Sequence, residues 1–352
     1  MTMLLGPALG GVRHRDVDMW IAAKGAPGAA AVLDFAGQKY GIRNPAGVPR
    51  WGSVAGDMTF ARASTAGRWP AAGAYEMVGA GVLRLDHDPV TRAPLGALIE
   101  GARTNLITNS AVVDTVRAVT VAAATYTVST EGAGSLALSG AFSGVVPAGS
   151  GRRRLTFTAT AGTLTLTPTG EVLRVQLEGG GFPTSYIATA GSTAARAGDS
   201  LSLPLPVVPA SGFTLAFSGR VPPGQNGGDS NILLSIMQET GTAGRLDIDT
   251  FSGAGTIWFS RPGNNAFRQL AAGLVAGSEF RGAVSWSASR GYRGTVNGGA
   301  VVTANDAAPS SLLTRVTLGS RAGSAQWGST IKMPVFWGRG DFSDADLKGL
   351  LA

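Results

Sequence analysis

The stretch "LTFTATAGTLTLTPTGEVLRVQLE", residues 155–178, decides the fold class. Leu155 and Phe157, then Leu164 and Leu166, recur at every second position with threonine between them. Side chains two apart lie on one face of an extended chain, so this is strand periodicity rather than the three-to-four spacing of a helix. Outward from it, similar runs are separated by "EGAGS" (131–135), "PAGSG" (147–151), "QNGG" (225–228), "FSGAG" (251–255), "SRG" (289–291) and "VNGG" (296–299). Glycine supplies the positive φ that tight hairpin turns demand, so these breaks read as the joints of antiparallel sheets. The clearest helical pattern is "FSDADLKGLLA" at the C-terminal end, with Ser343 as N-cap and Asp344 and Asp346 near the positive end of the dipole. The fold class predicted is all-β.

Composition narrows the chemistry. At 44% hydrophobic and 14% charged residues over 352 positions, the chain can bury a sizeable core. Cysteine is absent, which excludes disulfides, thiolate metal sites and cysteine nucleophiles. The formal charge is +7, yet the lysines are only Lys24, Lys39, Lys332 and Lys348, and the arginines are spread thinly, with Arg152–Arg154 the single basic run. A nucleic-acid reader concentrates its charge in a stripe, so no nucleic-acid partner is expected. Diffuse positive charge suits an acidic polysaccharide better. No run approaches the ~20 apolar residues of a membrane span, and the opening "MTMLLGPALGGVRHRD" lacks the basic start and apolar length of a signal peptide. Met3, Leu4 and Leu5 there have nothing local to cover them, which marks residues 1–30 as a segment anchoring the chain to another protein.

Soft boundaries fall at "NSAVVDT" near Ser110 and at the proline-rich "RAGDSLSLPLPVVPASG" (196–212). They divide the chain into 1–30, 31–110, 111–200 and 201–352.

No Gly-x-Ser-x-Gly elbow, phosphate loop or His-Glu-x-x-His helix is present, and no cofactor is implied. His87 stands in Asp86-His87-Asp88-Pro89, where a metal needs more ligands than Glu76 and Glu100 supply. Aspartate followed by proline instead favours a type I turn, so a hairpin is expected there. In "RLDIDTFSGAGTIWFS" (245–260), Arg245, Asp247 and Asp249 share one strand face, and Trp258 sits on the polar face of the next strand with Thr256 and Ser260. A turn at Ser252-Gly253 sets Asp247 opposite Trp258. An aromatic platform beside carboxylates and a guanidinium suits a pyranose ring; tryptophan at a subunit interface is the competing reading. Trp327, in "GSAQWGS", and Asn264-Asn265 are secondary glycan candidates. Carboxylates two apart on a strand are ~6.5–7 Å from each other, within the range of about 5–9.5 Å used in glycoside hydrolysis, which leaves a hydrolase as a third-ranked reading.

"VLDFAGQ" (32–38), "FARAST" (60–65), "LDHDPVTRAPLGALIEGARTNL" (85–106) and "VQLEGGGFPTSYIATAGSTAARAGD" (175–199) together resemble modules of tailed-bacteriophage fibre and spike proteins. "FTLAFSGRV" (213–221), "FRGAVSWSASRGYRGTVNGGAVV" (280–302) and the stretch 316–352 resemble a concanavalin-type or laminin-G-type jelly roll. The resemblance implies an N-terminal virion-attachment module of hairpins over 31–110, a small carbohydrate-binding-module-like β-sandwich over 111–200, and a jelly-roll sandwich over 201–352. It implies a virion location, other virion proteins as partners, host-surface polysaccharide as ligand, and a homo-oligomer, trimer favoured. It carries over no catalytic residue. A purely architectural role, as capsid decoration or spike base, is the alternative, and Glu100 with Arg103 reads as a surface ion pair.

Overall fold

The computed structural model describes residues 14–44, 46–224, 231–238, 245–250, 255–261, 266–306, 308–310, 312–321 and 323–350. Strands dominate, and the all-β class holds. The alternation that opened the sequence builds a small sandwich. Arg117–Val121, Gly162–Thr169, Ser135–Gly140 and Gly144–Val146 form one sheet; Arg153–Ala159, Ala124–Glu131 and Leu173–Gly179 form the other. Its core holds Leu136, Leu138, Phe157, Leu164, Leu166, Val175 and Leu177, one parity of each strand.

Two larger sheets make a second sandwich. The longer runs Val302–Ala304, Gly291–Val296, Glu279–Ser287, Phe213–Arg220, Val335–Trp337, Ala31–Asp34, Lys39–Arg43, Pro49–Gly52; Ser329–Ile331 attaches Pro94–Ile99 and Leu85–His87 to it. The facing sheet runs Ala266–Ala271, Ile257–Arg261, Leu246–Asp249, Ile232–Met237, Arg315–Leu318, Ser200–Pro204, Thr59–Ala61. Phe213, Leu215, Phe217, Leu234, Ile248, Phe259, Val316 and Leu318 fill the space between them. On the far side of the longer sheet, α1 (His14–Ala23) and α3 (Asp344–Gly349) cover Val32, Ala216, Ala283 and Val335 with Val17, Ile21 and Leu347. Both faces are therefore buried, which is why "AVLD" at 31–34 and "FTLAF" at 213–217 read as solid rather than alternating runs. Ser343 caps α3 reciprocally with Asp346, as its sequence predicts.

Strand pairing crosses the boundaries at 110 and 200. Ala31 pairs with Phe336 and Val32 with Val335, while Phe60 pairs with Leu201. The segment 31–110 thus supplies strands to both sheets of the C-terminal sandwich instead of forming a body of its own. Composition shifts mark where the backbone turns, whereas sheet membership is set by non-local hydrogen bonds.

Candidate functional site

The motifs that carry the phage-fibre resemblance converge on one buried ion network. Arg62 follows the strand Thr59–Ala61, Arg84 precedes Leu85–His87, Glu100 follows Pro94–Ile99, Arg196 ends Ala194–Arg196, and Asp199 precedes Ser200–Pro204. Strand ends bring all five together. Glu100 Oε2 accepts from Arg84 Nη1 at 2.7 Å and Arg196 Nη1 at 2.9 Å, and its two oxygens also take the Ser185 N–H (2.8 Å) and hydroxyl (2.6 Å). Asp199 accepts from Arg62 Nη1 at 3.1 Å, from Arg84 Nη2, and from the Glu100 N–H at 2.8 Å. Burial pushes the Glu100 carboxyl up, but Arg196 and Arg84 outweigh it and hold the group well below the usual carboxylate range. Alongside, Asn105 donates to the Val175 and Ile187 carbonyls and accepts from the Ile107 and Leu177 N–H groups, and Glu178 accepts from Thr184 N–H and hydroxyl. Arg196 Nη1, 3.3 Å from the Thr184 hydroxyl, links this group, at the end of the small sandwich, to the ion network. The expected surface pair of Glu100 and Arg103 is therefore corrected: Glu100 is buried, and Arg103 lies 3.8 Å from Glu178.

The Asp88-Pro89 hairpin forms. Asp88 N–H donates to the Ala93 carbonyl (2.9 Å), and Asp88 Oδ1 accepts from the Val90 (2.9 Å) and Thr91 (2.8 Å) N–H groups. His87 is buried with Nδ1 3.2 Å from the Trp69 carbonyl oxygen. Among the described residues no group of three His, Asp or Glu is placed to hold a metal.

Arg245, Asp247, Asp249 and Trp258 do share one face of the shorter sheet, with two differences. The register is two residues longer, pairing Asp249 with Trp258 and Asp247 with Ser260. A shift by two keeps every side chain on its face. Asp247 and Asp249 are also buried rather than solvated: Asp247 takes the Ser235 hydroxyl, Arg245 Nε (2.8 Å) and Arg321 Nη2 (3.0 Å), and Asp249 takes the Ser260 hydroxyl (2.7 Å). Trp258 is half-buried. Trp327 is core, not loop surface: it is fully buried, and its Nε1 donates to the Arg220 carbonyl at 3.0 Å. Asn264, Asn265, Met3, Leu4 and Leu5 lie outside the described residues.

Sequence reasoning missed an open groove of about 610 Å³ beside α1, on the helix-covered side of the longer sheet. Lys24 closes one wall through an ion pair to Asp34 Oδ2 at 2.6 Å, while Asp34 Oδ1 accepts the Gly37 N–H at 2.7 Å. A Cβ at Gly37 would meet that carboxylate at 2.5 Å, so glycine keeps the turn closed on Asp34. The other wall pairs Lys332 Nζ with Glu279 at 3.0 and 3.1 Å. Arg281 and Asn297 stand at one end, and Ala36, Pro94, Phe280 and Met333 add apolar surface. In the core on the other face of this sheet, burial and then Asp34 push the Tyr40 hydroxyl up to about 12. The one available signal was that two of four lysines flank this groove. Their partners lie 10 and 53 residues away, which no local pattern reveals.

No protein-family model matches the sequence, and no curated protein matches it. Among solved structures, the chain is similar to the CBM40 of the Ruminococcus gnavus IT-sialidase bound to α2,3-sialyllactose, at 15% identity over 40% of this chain and 83% of that one, TM-score 0.34. It is similar to the binding domain of Paraclostridial Mosquitocidal Protein 1 at 12% identity over 43% of this chain and 40% of that one, TM-score 0.34. It is also similar to the Trypanosoma rangeli sialidase in complex with sialic acid, at 13% identity over 43% and 26% of the two chains, TM-score 0.33.

Proposed function

We propose that this chain is a structural protein of a phage or phage-like particle, a fibre or spike whose sandwich binds a host-surface polysaccharide in the groove between Lys24–Asp34 and Lys332–Glu279. The observation that carries the reading is the groove itself. Its volume of about 610 Å³ falls in the range of small-ligand sites. Charged donors and acceptors stand on both walls with apolar surface between them, which matches a sugar ring with an apolar face and a hydroxylated edge. The buried network supports the structural half: Arg62, Arg84, Glu100, Arg196 and Asp199 are all buried and bonded to one another, which ties the ends of several strands together.

The test is a pull-down of the full chain with purified host-envelope polysaccharide. Lys332→Ala with Arg281→Ala should weaken retention at least tenfold while Trp258→Ala leaves it unchanged. Loss with Trp258→Ala alone moves the site to the shorter sheet. A wild-type chain that retains no polysaccharide supports the architectural role, and release of reducing ends from it supports the hydrolase.

A further inference from the structure

The indoles of Trp20 and Trp51 meet on the helix-covered side of the longer sheet. Trp20 belongs to α1, and Trp51 to Pro49–Gly52, the strand before α2 (Val54–Asp57). Gly41 pairs with Trp51 across the ladder, and a Cβ there would come within 3.0 Å of Trp20 Cζ3, so glycine leaves the hollow in which that ring lies. The rings pack edge to face with centroids 5.2 Å apart, and both residues stay half-buried. Together with Met333, which lines the groove of Lys24 and Lys332, they fringe the apolar cluster under α1. Groove and indoles thus border the same cluster.

Lys39 stands over the pair. Its Nζ is 4.3 Å from the Trp51 centroid and 5.6 Å from that of Trp20, and the residue is exposed. Asp34, its partner across the ladder, bonds Lys24 and the Gly37 N–H instead. Among the described residues no carboxylate pairs with Lys39. Lys24 lies 5.8 Å from the Trp20 centroid while pairing with Asp34, so it links the groove to the indoles. Three of the chain's four lysines, Lys24, Lys39 and Lys332, therefore gather at one place, whereas the buried networks use arginine. An ammonium on a flexible stem is a hydrated point charge, suited to meeting an anion at the surface rather than to a fixed buried fork. The groove with Lys39 sets four cations, counting Arg281, against the carboxylates of Asp34 and Glu279.

Resting on the reading that this groove binds a polysaccharide, we infer that the polysaccharide is acidic and runs past Lys24 onto the two indoles, where Lys39 takes the carboxylate of a sugar residue. The C–H face of a pyranose lies against an indole. A carboxylate on the ring edge then reaches the ammonium held over the neighbouring ring. The excess of cations draws in an anionic chain and gives a neutral one no such attraction.

The experiment compares retention of purified host-envelope polysaccharide by the full chain before and after its carboxyl groups are reduced to alcohols with carbodiimide and borohydride. The native form should be retained at least tenfold more strongly, and the difference should shrink as salt screens it. Lys39→Gln should lose at least fivefold on the native form and nothing on the reduced one, and Lys39→Arg, which keeps the charge, should recover most of that loss. Trp51→Leu, with its thermal melt checked, should weaken both forms, because stacking does not depend on the carboxylate; full retention by it overturns the placement on the indoles. Equal or weaker retention of the native form by the wild-type chain leaves the groove reading intact and overturns this inference. So does a Lys39→Gln chain that melts lower yet retains the native form as wild type does, since the lysine then only packs the rings. A wild-type chain that retains neither form removes the groove reading itself, and this inference with it.

Discussion

Glu100 shows how much one side chain can hold. It is the shared acceptor of Arg84 and Arg196, both fully buried. Removing one partner of a buried pair leaves an uncompensated charge and costs about 3–5 kcal/mol. Glu100→Gln should therefore lower the urea midpoint by that equivalent, with an unchanged denaturant slope. Replacing Glu100 and Arg196 together by Met should cost less than Glu100→Gln alone; a double variant that is worse would show the pair to be net stabilising. The pH response has two limbs. Because Glu100 is held low, its stabilisation is present above the unfolded carboxylate range and is lost as pH falls below it. Asp86 behaves oppositely. Burial, with Glu100 adding, pushes its carboxyl up to about 6 although it accepts the Trp69 N–H at 2.8 Å. Its contribution is complete below the unfolded value, about 4, and is lost as pH rises through about 6. Asp86→Asn, which keeps the acceptor without the charge, should gain stability relative to wild type between pH 4 and 7; parallel stability profiles of the two would refute the raised carboxyl.

At the scale of elements, the junctions between strands are the sensitive points. Gly96, in Pro94–Ile99, has φ +107°, and a Cβ there would meet the Ile331 carbonyl oxygen at 2.1 Å. That carbonyl belongs to backbone, so the clash is relieved only by parting Pro94–Ile99 from Ser329–Ile331, whose register pairs Ala97 with Ile331. Gly96→Ala should destabilise by more than about 2 kcal/mol, combining a left-side φ with the lost approach. The thermal midpoint measures it, and an unchanged midpoint would mean the two strands are not packed this closely. The Asp88-Pro89 hairpin was legible because aspartate and proline act within four residues. At its far end Arg92 adopts φ +61°, a conformation that favours glycine. Its guanidinium lies 5.0 Å from the Trp69 ring, a contact a glycine could not make.

For the whole molecule, the pairing of Ala31–Asp34 with Val335–Trp337 makes the large sandwich depend on both ends of the chain. A fragment 201–352 lacks Ala31–Asp34 and Thr59–Ala61 and should not fold cooperatively. A fragment 104–190 contains the whole core of the small sandwich and should unfold in a single cooperative transition. Circular dichroism melts of the two fragments test this, and a cooperative melt of 201–352 would show the N-terminal strands to be dispensable.

What the sequence determined by itself was what operates over a few residues: strand periodicity at 155–178, the turn at Asp88-Pro89, the Ser343 cap, and the shared face of Asp247, Asp249 and Trp258. Parity survives even a two-residue error in register, so the face was legible while the partner was not. The tertiary structure alone decided which strands enter which sheet, that Glu100 and Asp247 are buried in ion networks, that Trp327 belongs to the core, and that Lys24 and Lys332 stand on opposite walls of one groove. Each depends on contacts across tens to hundreds of residues, where loop closure and packing select the partner and local propensity carries no record of it.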